Sequence, residues 1–416
     1  MSGTPGAGCL RDSPDMTYDF LIVGGGVAGG VLAGLLGRGG KKVLLLEKSV
    51  APSPIVRPEI VWPHTVRVFE SLIPGDQLAD TVLPLGSVEV WPGDDPLLVL
   101  SDDFLGRAGV ERCSLEPNLL REQLLGAGEL ELRRGVEVNG LLEDNGRVVG
   151  VRARDLATSR EHDFMARYTI GNDGVRSFVR DECGIRMRTR IFPLDLLCFG
   201  FDWPESIPRL TTRVWLNTGA LDSGIIAMFA LPLPNGKGAG MIAVRPWIFD
   251  KADLTERAWR GFSAIDGAIT GVMNGKRFPA DLARIRRPWG HAGRYSHPGV
   301  VLMGDAAHPV SPVGGQGTNM AVADAAVFAE LALAGVPDLA AEYERQRMPA
   351  NTRSLRFTRH AARLLGLPGF LLPGFGVNFV FRWLRRNPAT LVDTILYAST
   401  AFQGRTKALP SAGPAT

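Results

Sequence analysis

The chain has 416 residues, 45% of them hydrophobic, with 46 Lys and Arg against 43 Asp and Glu and a formal net charge of +3. That is enough apolar chain for two structural units sharing a sizeable core, and the near-balanced charge, with no basic tail or aromatic-basic stripe, excludes the electrostatic signature of a nucleic-acid partner. Cys9, Cys113, Cys183 and Cys198 form no C-x-x-C pair and no histidine stands at ligand spacing, so the expectation is no metal, no disulfide scaffold and a reducing cytoplasm.

Residues 1–16 hold Gly, Pro and Ser without the apolar run of a signal peptide, and read as a disordered tail. Tyr18 to Val23 reads as a short buried strand. Gly24-Gly25-Gly26-Val27-Ala28-Gly29 then matches G-x-G-x-x-G and opens an Ala/Leu/Gly helix ending near Gly37. A second strand, Lys42 to Leu46, ends in Glu47, about 20 residues past the glycines, where a βαβ dinucleotide fold places the carboxylate that holds a ribose. Phe20 to Gly37 carries 18 uncharged residues, near the lower length of a membrane span. Its seven glycines and its strand–turn–helix pattern point to a soluble nucleotide fold instead.

Arg57-Pro58-Glu59-Ile60 precedes a predicted helix from His64 to Leu72, and a further helix is predicted from Glu116 to Leu125. Short strands over 130–170 surround Asp144-Asn145-Gly146, a hairpin signal. A second motif, Gly171-Asn172-Asp173-Gly174-Val175-Arg176-Ser177, continues through Phe178 to Val179-Arg180. From Met187 to Arg245 the pattern changes to longer β-branched and aromatic strands, Ile191–Trp203, Thr211–Asn217, Gly224–Leu231 and Gly240–Arg245, expected to form an antiparallel sheet. A helix is predicted over Leu254–Met273, and the chain returns to the nucleotide unit near Arg287. The run Val300 to Met320 begins as a strand, breaks at Gly304, carries Asp305 and His308, and passes Pro309 and Pro312. It enters a helix through Gly314, Gly315 and Gly317. Such a helix start turns unpaired N–H groups and partial positive charge toward one spot, suited to an anion or an electron-rich ring edge. Helices over Asn319–Ala334 and Leu339–Leu365 follow. The last apolar stretch, Leu364 to Phe381, is interrupted by Pro368 and Pro373 and flanked by arginines. Two readings stay open for it: packing on the substrate unit or a partner subunit, and peripheral membrane contact through residues 353–386.

The three motifs, G-x-G-x-x-G at 24–29, D-G-x-x-S-x-x-R at 173–180 and G-D-A-A-H-P at 304–309, resemble those of the single-component (group A) flavoprotein monooxygenases of the para-hydroxybenzoate hydroxylase type, over about residues 17 to 350. The fold this implies is α/β: a Rossmann-like FAD-binding domain split in sequence (17–186 and 280–350), an inserted antiparallel-sheet substrate domain (187–279) and a C-terminal helical region (351–416). Residues about 84–105 are candidates to join the substrate sheet. The resemblance implies FAD, with NAD(P)H as a transient electron donor and no Rossmann domain of its own. It makes Gly24, Gly26, Val27, Ala28, Gly29, Glu47 and Lys48 adenosine-side residues, brings Arg57 near the cofactor, and sets Asp173 near the pyrophosphate. Gly304 and Asp305 meet the ribityl chain, and Pro312, Gly315, Gln316, Gly317, Thr318 and Asn319 edge the reactive ring. Arg121 is a candidate for the pyrophosphate, although relatives carry their arginine nearer the position of Glu116.

The activity implied is oxygenation of an apolar or aromatic small molecule by O2 through a flavin C4a-hydroperoxide. Pro312 and Gly315 form the flavin-edge environment and no general base is identifiable; Pro312 has no N–H to protonate the peroxide early. Hydroxylation and epoxidation use the same electrophile and stay unseparated. Phe192, Phe199, Phe201, Trp203, Trp215 and Phe229 are the expected aromatic supply for substrate wall and core, about half of them core only. His64, His291 and His297 are of the type that can titrate near neutrality, but nothing in their spacing defines a general base, and they read first as surface or satisfied histidines. The rivals are a flavin-dependent reductase of prenyl or polyene substrates, disfavoured by His308-Pro309, a flavin-dependent halogenase, whose W-x-W-x-I-P signature is absent, and a non-catalytic binding protein of the same fold. Monomer and homodimer are both compatible with the sequence.

Overall fold

The computed structural model describes residues 17–92, 95–107, 111–216, 224–250, 256, 260–261, 263–312 and 314–365. The tail at 1–16 and the apolar stretch beyond residue 365 therefore lie outside the described residues, as does most of 251–262. Strand Thr17–Val23 sits at the centre of an eight-stranded sheet. It pairs in parallel with Val43–Glu47 on one side and Glu161–Gly171 on the other. Val300–Leu302 and Glu131–Arg134 extend the parallel array outward. All five residues of Val43–Glu47 are buried, which is why the strand reads as a continuous apolar run rather than an alternating one. Helix Val27–Arg38 packs against helices Pro117–Gly126 and Gly317–Leu333 through small residues. The hairpin of Val136–Asp144 and Arg147–Asp155 turns at Asn145 and Gly146, both at positive φ, as a two-residue primed turn requires.

A seven-stranded sheet has the order Ala283–Ile285, Asp195–Asp202, Lys237–Val244, Ile225–Pro232, Thr212–Leu216, Val88–Trp91 and Leu98–Leu100. Strands from the 84–105 segment thus sit at its far edge, joined in parallel to Thr212–Leu216. Two elements differ from the sequence expectation. Ile191 does not begin the strand through Trp203: Met187–Ile191 pairs with Pro288–Ala292 in a separate ribbon, and the sheet strand starts at Asp195. Pro193 lies between them, and its missing N–H and fixed φ separate the two pairings. Nor does one helix continue to Met273. At Asp266 the backbone is extended (φ −150°, ψ 132°) and the side chain caps a new helix, Gly267–Val272, by accepting from the Ala268 N–H at 2.9 Å.

A three-stranded sheet, Glu59–Val61, Cys113–Leu115 and Val82–Pro84, completes the described strands. The main core lies between the eight-stranded sheet and its helices; another fills the outer face of the seven-stranded sheet. Between the two sheets runs a cleft.

Candidate functional site

The first wall of the cleft is the glycine-rich turn. Gly24 has φ +103°, and a Cβ there would sit 2.4 Å from the Asn172 carbonyl oxygen; one on Gly29 would sit 2.2 Å from the Gly24 carbonyl oxygen. Only glycine allows this approach of strand, turn and helix. Asn172 closes it by donating from Nδ2 to the Gly24 carbonyl at 3.0 Å. Gly26, Val27 and Ala28 line the cleft at the start of helix Val27–Arg38, while Gly24 and Gly29 stand behind them.

Glu47 is buried and does not line the cleft. Its carboxylate accepts from the Gly25 N–H (2.7 Å) and the Ser49 N–H (2.7 Å) and pairs with Arg121 at 3.1 Å. Arg121, which does line the cleft, also donates from Nε to the Gly25 carbonyl, tying helix Pro117–Gly126 to the turn. Glu116 caps that helix, its carboxylate accepting from the Leu119 N–H. Lys48 departs from its expected place: its ammonium pairs with Glu137 at 2.6 Å on the exposed surface. Asp173 departs as well. Asn172 and Gly174 line the cleft, but the Asp173 carboxylate accepts from the Val179 N–H at 3.1 Å, and its second oxygen is buried without a protein partner. Burial pushes the Asp173 carboxyl up from the usual carboxylate range.

The opposite end of the cleft is the third motif. Gly304, Asp305, Pro312, Gly315, Gln316, Gly317 and Thr318 all line it. The Asp305 carboxylate is held by Arg287 at 2.8 Å, a partner the sequence reading passed over because it sits 18 residues upstream. Helix Gly317–Leu333 points its N-terminus into the cleft, and its first N–H groups have no intrahelical acceptor. Asn319 lies behind this face and acts as a buried staple. Its Oδ1 accepts from the Trp62 N–H (3.1 Å) and the Thr65 hydroxyl (2.8 Å), and its Nδ2 donates to the carbonyls of Ile60 (2.9 Å) and Gly315 (3.0 Å). Glu59, beside Arg57 on the cleft wall, accepts from the Thr318 hydroxyl.

Under the motif, His308 bonds to Asp324, which also accepts from the Gly304 N–H (3.1 Å), Arg347 Nε (2.7 Å) and Asn351 Nδ2 (3.0 Å). Burial alone would raise the Asp324 carboxyl, but His308 and Arg347 hold it well below the usual carboxylate range. His308 is thus a structural anchor of the loop. Burial also lowers His64 and His291 to about 4, so both are neutral at pH 7 and neither titrates near neutrality.

The third wall comes from the seven-stranded sheet and is aliphatic and sulfur-rich: Leu196, Cys198, Met241 and Ile285. Burial raises the Cys198 thiol to about 12, so it stays protonated and inert. The aromatic residues expected here mostly face elsewhere. Because successive side chains alternate across a sheet, Phe199, Phe201, Trp203 and Trp215 fall on the outer face and fill its core. Phe192 packs in a cluster with Leu196, Cys198 and Trp289. Phe229, opposite Met241 in register, is on the cleft-side face.

The cleft is open to solvent along its length and has a cavity volume of about 310 Å³, at the lower end of the roughly 300–1,000 Å³ of small-molecule sites. A glycine cradle at a helix start and a second helix start opposite suit an elongated dinucleotide, so the residues present fit FAD. Among the described residues no cluster of metal-binding side chains occurs, and no helix is long and apolar enough to cross a membrane.

Comparison with known proteins agrees with this geometry. Residues 17–358 match the family model for the FAD binding domain. The chain is 29% identical to the ubiquinone hydroxylase UbiL of Rhodospirillum rubrum, over 86% of this chain and 84% of that protein. It is 28% identical to a probable NADH-specific resorcinol 4-hydroxylase of Rhodococcus jostii, over 83% of this chain and 64% of that protein. Among solved structures, the p-nitrophenol 4-monooxygenase PnpA of Pseudomonas putida superposes with a TM-score of 0.75 at 20% identity, covering 94% of this chain and 99% of that one.

Proposed function

The chain belongs to the FAD binding domain family, the para-hydroxybenzoate hydroxylase-like FAD-dependent monooxygenases, and on that premise we propose that it uses NAD(P)H and O2 to hydroxylate an aromatic or apolar small molecule beneath the seven-stranded sheet. The observation that carries this reading is the continuity of one cleft from the glycine turn, past Asp305 and the start of helix Gly317–Leu333, to the apolar wall of Leu196, Cys198, Met241 and Ile285. Bound FAD would supply hydride acceptance from NAD(P)H and O2 activation, one oxygen atom going to the substrate and the other leaving as water.

The roles proposed for this chain's residues follow from their positions. Gly26 to Ala28 offer N–H groups to a pyrophosphate, with Arg121 beside them. Asp305, oriented by Arg287, accepts from ribityl hydroxyls. The N–H groups of Gly317 and Thr318 would offer donors to the flavin ring as it gains negative charge; a preorganised donor in such a role is worth about 2.7–4 kcal/mol. Pro312, which has no N–H, and the aliphatic wall would keep proton donors and water away from the reacting flavin. The Rhodococcus relative's description supports NADH as the donor. Three unpaired cysteines among the described residues support a reducing cytoplasm.

The test is turnover under 18O2 with NADH or NADPH and a panel of phenols and apolar alkenes. One 18O atom per product supports monooxygenation, and the product's structure separates hydroxylation from epoxidation. Substrate reduction without 18O would establish the reductase alternative, and a protein that binds FAD but consumes no NAD(P)H would favour the binding protein. Asp305→Ala should weaken FAD binding by about tenfold or more, since hydrogen bonds to a charged group contribute roughly 1.5–3 kcal/mol; unchanged flavin retention on gel filtration would remove Asp305 from the site.

A further inference from the structure

Glu59 is a carboxylate that the sequence motifs do not account for. It lies on the cleft wall with its side chain 18% exposed, on the strand Glu59–Val61. That strand is clamped to the start of helix Gly317–Leu333 on three sides. Asn319 Nδ2 takes the Ile60 carbonyl, Asn319 Oδ1 takes the Trp62 N–H, and the Thr318 hydroxyl donates to the Glu59 carboxylate itself. A Cβ on Gly315 would stand 3.6 Å from Ile60 Cβ, so the glycine loop runs beside the strand. The nearest described cation is Arg57, at 3.6 Å; its side chain is 42% exposed, so its pairing is long and screened by solvent. The clasp therefore fixes a negative charge against the positive end of a 17-residue helix, at the residue, Thr318, whose N–H is one of the donors aimed into the cleft.

We propose that Glu59 sets the reduction potential of the flavin, its clasped charge opposing the helix end and thereby disfavouring the anionic reduced ring. The helix end stabilises negative charge on whatever occupies it. Glu59 takes part of that field, and a fixed like charge opposes the gain of charge by a ring beside it on reduction. The device keeps the reduced ring a stronger reductant toward O2 than the helix start alone would make it, while Thr318 and Asn319 keep the geometry rigid. This inference rests on the assignment of the flavin ring to the Gly315–Thr318 end of the cleft.

The experiment is the flavin midpoint potential, read by equilibration with a reference dye at saturating FAD, for the full-length wild type, Glu59→Gln and Glu59→Asp. Gln keeps an acceptor for Thr318 and removes the charge; Asp keeps the charge. The expected result is a rise for Gln equivalent to about a tenfold stronger preference for the reduced form, about 30 mV for a two-electron couple, with Asp close to wild type. An unchanged potential in Gln, or equal shifts in Gln and Asp, overturns the proposal. The underlying assignment is read separately by Gly317→Val, which should abolish FAD binding if the ring sits there. If that variant binds FAD as the wild type does, the assignment of the ring fails, and the proposal fails with it.

Discussion

His64 illustrates how a side chain's neighbours decide its chemistry. Its ring is largely buried on helix Pro63–Glu70, with Nε2 unpartnered and Arg67 and Arg347 adding like charge after burial, so its pKa falls to about 4. The unfolded chain, with His64 near 6.5, binds more protons between pH 6.5 and 4. The stability that His64 contributes by staying neutral is complete above 6.5 and is lost as pH falls through that window. His64→Gln should therefore be more tolerant of acid, its stability relative to wild type improving by about 1–2 kcal/mol between pH 7.5 and pH 5 in urea unfolding. A constant offset between the two proteins at both pH values would show that His64 does not titrate in this way. Sequence alone supplies the residue type and its reference value; helix Gly317–Leu333, which packs on its helix, and the Arg347 charge from the long helix Leu339–Leu365 are both remote in the chain. The same holds for Asp305: the motif identified the carboxylate, and folding brought Arg287 to it.

Element boundaries were legible where the signal is local. The strand, glycine turn, helix and second strand at the start of the chain are each within a few residues of their expected limits, because buried parallel strands are continuously apolar and glycine marks the turn. They failed where a long-range contact wins over local propensity. Asp266 stands in a segment that otherwise suits one helix, yet its carboxylate serves the sheet: it accepts from Trp215 Nε1 at 2.6 Å, pairs with Arg213 at 3.3 Å and caps the helix from Gly267. Asp266→Ala removes all three at once, leaving a buried indole N–H and a buried guanidinium short of a partner. Loss of a cap alone is worth about 0.5–2 kcal/mol and an orphaned buried donor about 1–3. Thermal unfolding should show a destabilisation of roughly 2–4 kcal/mol, and a change below about 0.5 kcal/mol, the ordinary range of a surface substitution, would mean that the sheet does not depend on this cap.

For the molecule as a whole, the cleft is where two sheets and two helix starts meet, so FAD is expected to stabilise the entire assembly and not one unit of it. At free FAD one hundredfold above its dissociation constant, binding to the folded state alone adds about 2.7 kcal/mol. Removing FAD should lower the melting temperature by a few degrees, and adding FAD back should restore it in proportion to the logarithm of its concentration. A melting temperature indifferent to FAD would mean that the cofactor contributes no linkage to folding. By itself the sequence determined the nucleotide fold, the cofactor class and the order of the three motifs, because each rests on short-range requirements: glycine where backbones touch, an acid at a strand end, a helix opening on glycines. Only the tertiary structure decided which residues face the cleft. Alternation across the seven-stranded sheet sent Phe199, Phe201, Trp203 and Trp215 to the outer core and left Leu196, Cys198 and Met241 inside, and chain segments more than 250 residues apart joined Glu59 to Thr318. Which face of a strand is covered, and which distant charge arrives beside a helix end, depends on how whole layers pack.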